Sequence, residues 1–548
     1  MADEKRESTM DPVQSKIPGM SENSTRENRE TPPVSGSSTP GRLEKAMSYK
    51  TSTQGGESDG QVVPTKRPNK GEQFPAEGVE GSGPTKGNTE EAHTHRTQGR
   101  ERVSQGLGGV REAARRNKEQ KFTALLHHVT VGLLRDSYYS LKRKAAPGVD
   151  GVTWRQYGEG VEERLADLHD RVHRGAYRAQ PSKRMYIEKD DGRQRPIGIA
   201  ALEDKIVQQA VVTVLNQIYE EDFKGFSYGF RPGRSQHDAL DALAVGLRRK
   251  KVNWVVDLDV RGFFDNVSHE WMEKFIGHRV ADRRVIRLIQ KWLKAGVSEE
   301  GEWSETTVGT PQGGVASPLL ANIYLHYVFD LWVEAWRRKM AHGDMIVVRY
   351  ADDAVLGFEN RKDAEVFLEQ LRGRMQKFGL ELHPEKTRLI EFGRYAEGNR
   401  KQRGEGKPET FDFLGFTHIC GKTKKGGWFT VRRQTVKKRL RRKLQAIRQE
   451  LRKRWHERVA DTGDWLRSVV QGYFNYHAIP GNFAALRAFR REVARAWLWA
   501  LRRRGQKRPL TLERFDELAD QYLPKPRILH PQPGERFDAK TQGKSRMR

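Results

Sequence analysis

The chain has 548 residues, long enough for several domains. Lys and Arg number 100 against 72 acids, a formal charge of +28, which implies a polyanionic partner: nucleic acid first, an anionic membrane surface second. No uninterrupted apolar run reaches the roughly 18 residues of a membrane span, and the N-terminus lacks the apolar region of a secretory signal or transit peptide. Cys420 is the single cysteine, which excludes an internal disulfide framework and a zinc site built on cysteine pairs, and fits a reducing bacterial cytoplasm.

In chain order, residues 1–114 read as a disordered polar tail, because Gly, Ser, Thr, Pro, Glu and Lys dominate and leave little apolar surface to offset the entropy of ordering. A solvated tail without chemistry is the plain reading, and a weak RNA tether the sharper one. Order is expected from about Arg115, and residues 115–180 form an extension leading into the main domain. Within it, Leu125, Leu126, Val129, Leu133, Leu134, Tyr138 and Leu141 suggest helical segments. Pro147-Gly148 and Asp150-Gly151 then mark turns. Residues 181–420 mix strands and helices without a regular βαβ alternation, which predicts an α+β class. Residues 421–520 are basic and helical, and 521–548 read as a polar C-terminal tail. No internal repeat is found.

The most informative string is Val347-Val348-Arg349-Tyr350-Ala351-Asp352-Asp353-Ala354-Val355-Leu356. Two carboxylates sit between β-branched runs that read as strands, so a tight reversal would hold both acids at a hairpin tip. An Asp-Asp pair is often only a turn. At a rigid tip it also suits a hard divalent cation such as Mg2+, which takes few protein oxygens and leaves room for phosphates. Trp254–Val260 reads as a buried strand with Asp257 and Asp259 on one face. Two such acids repel unless a cation or a base neutralises them, so a metal site and a structural ion pair both remain open.

Two loops can face a substrate. Gly309–Gly314 is a glycine-rich turn in which Gln312 can reach a sugar or base edge, although many such turns are only loops. Asp190-Asp191-Gly192 reads as a hairpin tip flanked by Lys189 and Arg195, which can hold triphosphate oxygens or be simply solvated. Further on, Val436, Leu440, Leu444, Ile447, Leu451, Trp455 and Val459 recur at helical spacing. Residues 421–460 hold 16 Lys or Arg and only two acids, Glu450 and Glu457. Lys437, Lys438, Arg441 and Arg442 are the candidate RNA contacts on this face. Phe483–Arg504 carries a second stripe of Leu486, Phe489, Val493, Trp497 and Leu501.

Taken together and in order, these strings resemble group II intron-encoded proteins, the reverse transcriptase–maturases of bacteria and organelles. The resemblance covers roughly 130–520. It rests on Ala146-Pro-Gly-Val-Asp-Gly-Val152, Arg195-Pro-Ile-Gly-Ile199 and Ser227-Tyr-Gly-Phe-Arg-Pro-Gly-Arg-Ser235. Also carrying it are Asp257-Leu-Asp-Val-Arg-Gly-Phe-Phe-Asp265, Gly309-Thr-Pro-Gln-Gly-Gly314, Tyr350-Ala-Asp-Asp353, Leu382-His-Pro-Glu-Lys-Thr387 and Phe411-Asp-Phe-Leu-Gly-Phe416. Gly472-Tyr-Phe-Asn-Tyr-His477 looks like the family's maturase, or X, region. With one cysteine and a polar end, the chain is similar to members that lack the C-terminal endonuclease.

The resemblance implies a right-hand polymerase of fingers, palm and thumb followed by the maturase region. By position it makes Asp259, Asp352 and Asp353 the catalytic, metal-binding acids for two Mg2+ ions, with Mn2+ as a substitute, and Asp257 a supporting acid. Arg195 and Gln312 match nucleotide contacts. Phe264 matches the aromatic that excludes a ribose 2′-OH, the alternative being a core residue beside Phe263. Lys386 matches a position that protonates the leaving pyrophosphate, or else makes an ordinary phosphate contact. Phe411, Leu414 and Gly415 belong to a primer-gripping turn. Implied partners are the group II intron RNA, an RNA template with a DNA primer, deoxynucleoside triphosphates and target DNA, with no membrane. Two readings compete: an RNA-binding splicing cofactor whose polymerase is secondary, and a polymerase of another lineage, such as a retron or defence reverse transcriptase or an RNA-copying RNA polymerase. Ala351 and Phe264 favour deoxynucleotides, and Gly472–His477 favours the intron-encoded group.

Overall fold

The computed structural model describes residues 96–188, 194–299, 301–423, 426–504 and 510–541, with side chains described from Gly106 onward except that of Glu188. Eleven strands lie among the described residues. β1 (Ser182–Glu188) and β2 (Gln194–Ile199) form a hairpin, β3 (Trp254–Leu258) stands alone in sequence, and β4 (Val297–Glu299) and β5 (Glu302–Ser304) form a short second hairpin. β6 (Met345–Tyr350), β7 (Asp353–Phe358) and β8 (Arg388–Glu391) follow, and β9 (Phe411–Phe413), β10 (Phe416–Lys422) and β11 (Phe429–Thr435) close the set. They build three sheets, ordered β2-β1-β4-β5, β6-β7-β3-β8 and β11-β10-β9.

The β6-β7-β3-β8 sheet is wholly antiparallel, and its position explains why its strands read as unbroken apolar runs. One face packs Val256, Leu258, Val347, Ala354, Leu356 and Phe358 into a large core shared with the Leu202–Asp222, Ser317–Leu325 and Arg361–Lys377 helices. The other face packs Val255, Ile346, Val348, Val355 and Ile390 against the Gln236–Arg249 helix and the β9–β10 strands. A sheet covered on both sides is rigid, and its open end is where functional side chains can project.

The expected α+β class and hand-like arrangement hold, with corrections at the edges. The tail expected through 114 is corrected over its described part: an Arg96–Arg116 helix buries Leu107, Val110 and Ala114 against the Leu202–Asp222 helix. Those three residues make one narrow apolar face that average composition hides. The expected polar C-terminal tail is also corrected. Leu523 and Phe537 are buried, and the Pro533–Thr541 helix docks on the Gln236–Arg249 helix. The boundary expected at 420/421 runs through β10, which pairs along its whole length with β11.

In the basic region the Lys437–Lys453 helix buries Leu444, Ile447 and Leu451 as expected, but it stops at Lys453. Val459 starts the next helix, Val459–His477, and is 36 % exposed, so the long stripe is two helices. The second stripe is met in full: Leu486, Phe489, Val493, Trp497 and Leu501 are all buried in the Phe483–Arg502 helix. No helix among the described residues is long and apolar enough to cross a membrane.

Candidate active site

The acids meet at one end of the two-sided sheet. β6 and β7 pair with Tyr350 opposite Asp353, leaving Ala351 and Asp352 as a two-residue turn. Ala351 has φ +54, a conformation that normally calls for glycine at the first central position of such a hairpin. β3 and β7 pair with Leu258 opposite Ala354. That pairing ends there, so Asp259 leaves β3 at the same end of the sheet where Asp353 opens β7, near enough for its charge to act on Asp353. Asp257, Asp259 and Asp353 share one face of the sheet, while Asp352 rides on the turn.

The strained turn is held from below. Arg349, 1 % exposed, donates to both oxygens of Asp330 at 2.7 and 2.6 Å and to the Ala351 carbonyl at 2.9 Å. It also donates to Asn322 Oδ1 at 3.1 Å and Ser227 Oγ at 2.8 Å. Asp330 ends a π-helical turn, His326–Asp330, within the helical stretch from Ser317 to Lys339. Alongside, Tyr228 N donates to Arg349 O at 2.8 Å, and Asn322 Nδ2 donates to Gly229 O at 2.8 Å. Gly229 touches the turn itself: a Cβ there would lie 2.3 Å from Ala351 N. Motif reading missed Arg349, Asp330, Asn322 and Gly229 as site residues. The available signal was an arginine inside an apolar strand run, which must find a buried partner.

As whole residues, Asp352 is half-buried and Asp353 exposed at the tip. Both titrate above the ordinary carboxylate range. Desolvation is the first cause; Asp259 raises both, and Asp352 and Asp257 add to Asp353. Arg195 acts in the opposite sense on Asp352, and Arg439 on Asp353. Asp257 is pushed up to about 6 by burial, against the Arg388 guanidinium 3.3 Å away. Asp259 is held through its backbone, with His383 N donating to its carbonyl at 2.8 Å. Its carboxylate is bonded to Lys386 Nζ at 2.9 Å.

As placed, no three acidic, histidine or cysteine side chains among the described residues converge tightly enough to hold a metal ion. The fit to a hard cation rests on chemistry instead. The donors are all oxygen, like charges crowd each other, and Lys386 already supplies one positive charge at Asp259.

Around the acids, Arg195 Nε donates to Gln312 Oε1 at 3.0 Å, and Gly198 N donates to Gln312 O at 2.6 Å. The two candidate nucleotide contacts are thus tied together, with the glycine-rich loop fastened to β2. Thr310 N donates to Phe264 O at 2.8 Å, which sets the half-buried Phe264 beside the same loop and against Phe263, 5.3 Å between ring centroids. Lys189 lies outside the described residues.

The Phe411–Phe416 turn has an interior and an edge. Phe411 is buried and stacked on His418, with ring centroids 4.8 Å apart, so its side chain belongs to the core. Leu414 and Gly415 form the turn at φ +46 and +79. Lys437, Lys438 and Arg441 are exposed on their helix, and Arg442 is half-buried. Arg439, on the same helix and not singled out from sequence, sits beside Gly415 and acts on Asp353.

An acid-tipped palm, an arginine–glutamine loop and a basic helical thumb define a template-directed nucleic acid polymerase of the right-hand class. A family profile described as Reverse transcriptase (RNA-dependent DNA polymerase) matches residues 187–418. Protein YkfC of Escherichia coli strain K12 is 35% identical over 282 residues, covering 46% of this chain and 74% of that protein. The group II intron-encoded protein LtrA of Lactococcus lactis is 31% identical over 309 residues, 53% of this chain. That alignment spans half the length of the lactococcal protein. An uncharacterized 91 kDa protein in the cob intron of Schizosaccharomyces pombe is 40% identical over 154 residues, 28% of this chain and 19% of that protein. The chain belongs to the group II intron-encoded reverse transcriptase/maturase family, whose polymerases are RNA-directed, work on nucleic acid templates and depend on divalent metal.

Proposed function

We propose that this chain copies RNA into DNA by metal-dependent nucleotidyl transfer at Asp259, Asp352 and Asp353, and that it also binds its intron RNA as a maturase. The observation that supports the catalytic part is that β3 and β7 pair as far as Leu258 and Ala354, which brings Asp259 and Asp353 to one end of the sheet beside a turn braced by Arg349. Asp259, Asp352 and Asp353 would hold two Mg2+ ions, or Mn2+ in their place. Bound there, such ions lower the pKa of the primer 3′-OH and neutralise charge on the triphosphate, worth several kcal/mol of barrier.

The chain's own residues do the rest. Arg195 and Gln312 orient the incoming deoxynucleoside triphosphate, and Phe264 closes the space a 2′-OH would need. Lys386 leaves Asp259 for a phosphate oxygen and places a proton near the departing pyrophosphate. Leu414 and Gly415 bear on the primer strand, while Lys437, Lys438, Arg441 and Arg442 hold RNA phosphates. Lys189 completes the triphosphate contacts in this reading. Intron RNA bound on the thumb and maturase helices supports splicing, and target DNA is the substrate for mobility. A bacterial cytoplasm is part of the same proposal.

Asp352→Ala tests it. Cutting DNA synthesis on a primed RNA template by at least about two orders of magnitude corresponds to roughly 2.7 kcal/mol of lost transition-state stabilisation. RNA affinity should stay unchanged. Near-normal primer extension by this variant would refute the assignment.

A further inference from the structure

The C-terminal segment returns to the palm instead of trailing from it. Leu529 N and His530 N both donate to Ala478 O, at 2.9 and 3.2 Å, and His530 Nε2 donates to Asn475 O at 2.7 Å. The Pro533–Thr541 helix then fastens to the Gln236–Arg249 helix. Arg249 pairs with Asp538, Lys540 pairs with Asp238, and Phe537 is buried. Asp241, 1 % exposed, accepts from Arg536 and, at 3.0 Å, from Arg433 of β11. One buried carboxylate therefore joins the palm, the β9–β11 sheet and the C-terminal segment.

At the centre of this junction lies Tyr476, in the motif whose role the polymerase reading leaves unused. Its hydroxyl donates to the Leu414 carbonyl at 2.8 Å, and its ring stacks on Phe416 with centroids 5.7 Å apart. Its own carbonyl accepts from His237 Nε2 at 2.8 Å. His237 in turn stacks on His530, centroids 4.1 Å apart. Leu414 needs such an anchor, because a branched side chain at φ +46 is strained and persists only where its surroundings over-determine it.

We infer that Tyr476 is a positioning residue for the Leu414–Gly415 turn, and that the C-terminal segment holds Tyr476 in place through His530 and His237. The inference rests on the proposal that this turn bears on the primer strand. It links the C-terminal segment to the grip on the primer through an unbroken run of contacts: His530, His237, Tyr476, Leu414.

The test measures how fast the full-length chain releases a DNA primer annealed to an RNA template, chased by excess competitor. Tyr476→Phe removes one hydroxyl and keeps the ring. Release should quicken about fivefold, the worth of one typical hydrogen bond, while the chain stays folded at the assay temperature and the affinity for unprimed RNA stays as in the parent. His530→Ala should act in the same direction, and the double variant should be no worse than Tyr476→Phe alone, because both changes break one link. Gly415→Ala, whose Cβ would meet Arg439 at 3.0 Å, disturbs the turn directly. If Gly415→Ala quickens release and Tyr476→Phe does not, the inference is overturned and the primer-gripping reading stands. If neither does, both fall.

Discussion

Arg349 and Asp330 form a two-point ion pair between fully buried side chains directly under the Ala351–Asp352 turn, and the same guanidinium reaches the Ala351 carbonyl. Arg349 lies next to the tip in sequence, whereas Asp330 arrives from a helical bulge 19 residues away. The pair therefore ties the placement of the acids to the helix packed behind the sheet. Because the tip residue sits at positive φ without being glycine, the turn depends on this external support.

Breaking such a pair strands a buried charge. Arg349→Met should lower stability by about 3–5 kcal/mol, visible as a fall in the urea midpoint. The double change Arg349→Met with Asp330→Leu should recover part of that stability, since no charge is then left unpaired. Polymerase activity should stay low in both, because neither supplies a donor to Ala351 O. Full activity in the double variant would show that the turn stands without its brace.

Phe264 offers a cleaner readout of substrate choice. It is half-buried next to the loop that carries Gln312, through the Thr310 bond to its carbonyl. Phe264→Val opens space without touching that backbone contact. Ribonucleotide incorporation relative to deoxynucleotide should rise by about 10–200-fold, the range that one steric contact commands. An unchanged ratio would return Phe264 to a purely packing role.

The thumb helix makes an electrostatic prediction. Replacing Lys437, Lys438 and Arg441 by glutamine should weaken RNA binding at low salt. Each lost phosphate contact should reduce the log–log salt slope by roughly one unit. All three side chains are exposed, so folding should be unaffected. Identical affinity and slope would place the RNA elsewhere.

Acid should unfold the chain through its histidines. Burial is the main cause in each case, depressing His418 and His477 to about 3 and His237 and His326 to about 4, all from 6.5. The folded state therefore refuses protons that the unfolded chain takes up. Stability is fully present above pH 6.5 and is lost as pH falls toward 3–4, with each histidine adding up to about 1.4 kcal/mol per pH unit. The urea midpoint should drop steeply between pH 6.5 and 5. His418→Phe keeps a ring against Phe411 and should flatten that drop. A midpoint indifferent to pH over this range would contradict the depression of all four.

The class of this protein and the hairpin that presents its paired acids could be read from its amino acids alone, because each motif is local. Two aspartates between β-branched runs must fall at a hairpin tip, an alternating strand must put Asp257 and Asp259 on one face, and a stripe of basic residues must leave an apolar side to pack. Composition and short spacings reach that far and no further. They do not tell which distant residue stands under the turn, that Phe411 belongs inside, that Leu107, Val110 and Ala114 extend the fold toward the N-terminus, or that Phe537 and Arg536 bring the C-terminus back to Asp241. Those outcomes depend on pairings across tens to hundreds of positions, where a buried charge or an isolated apolar side chain finds its partner only once the whole chain has closed around it.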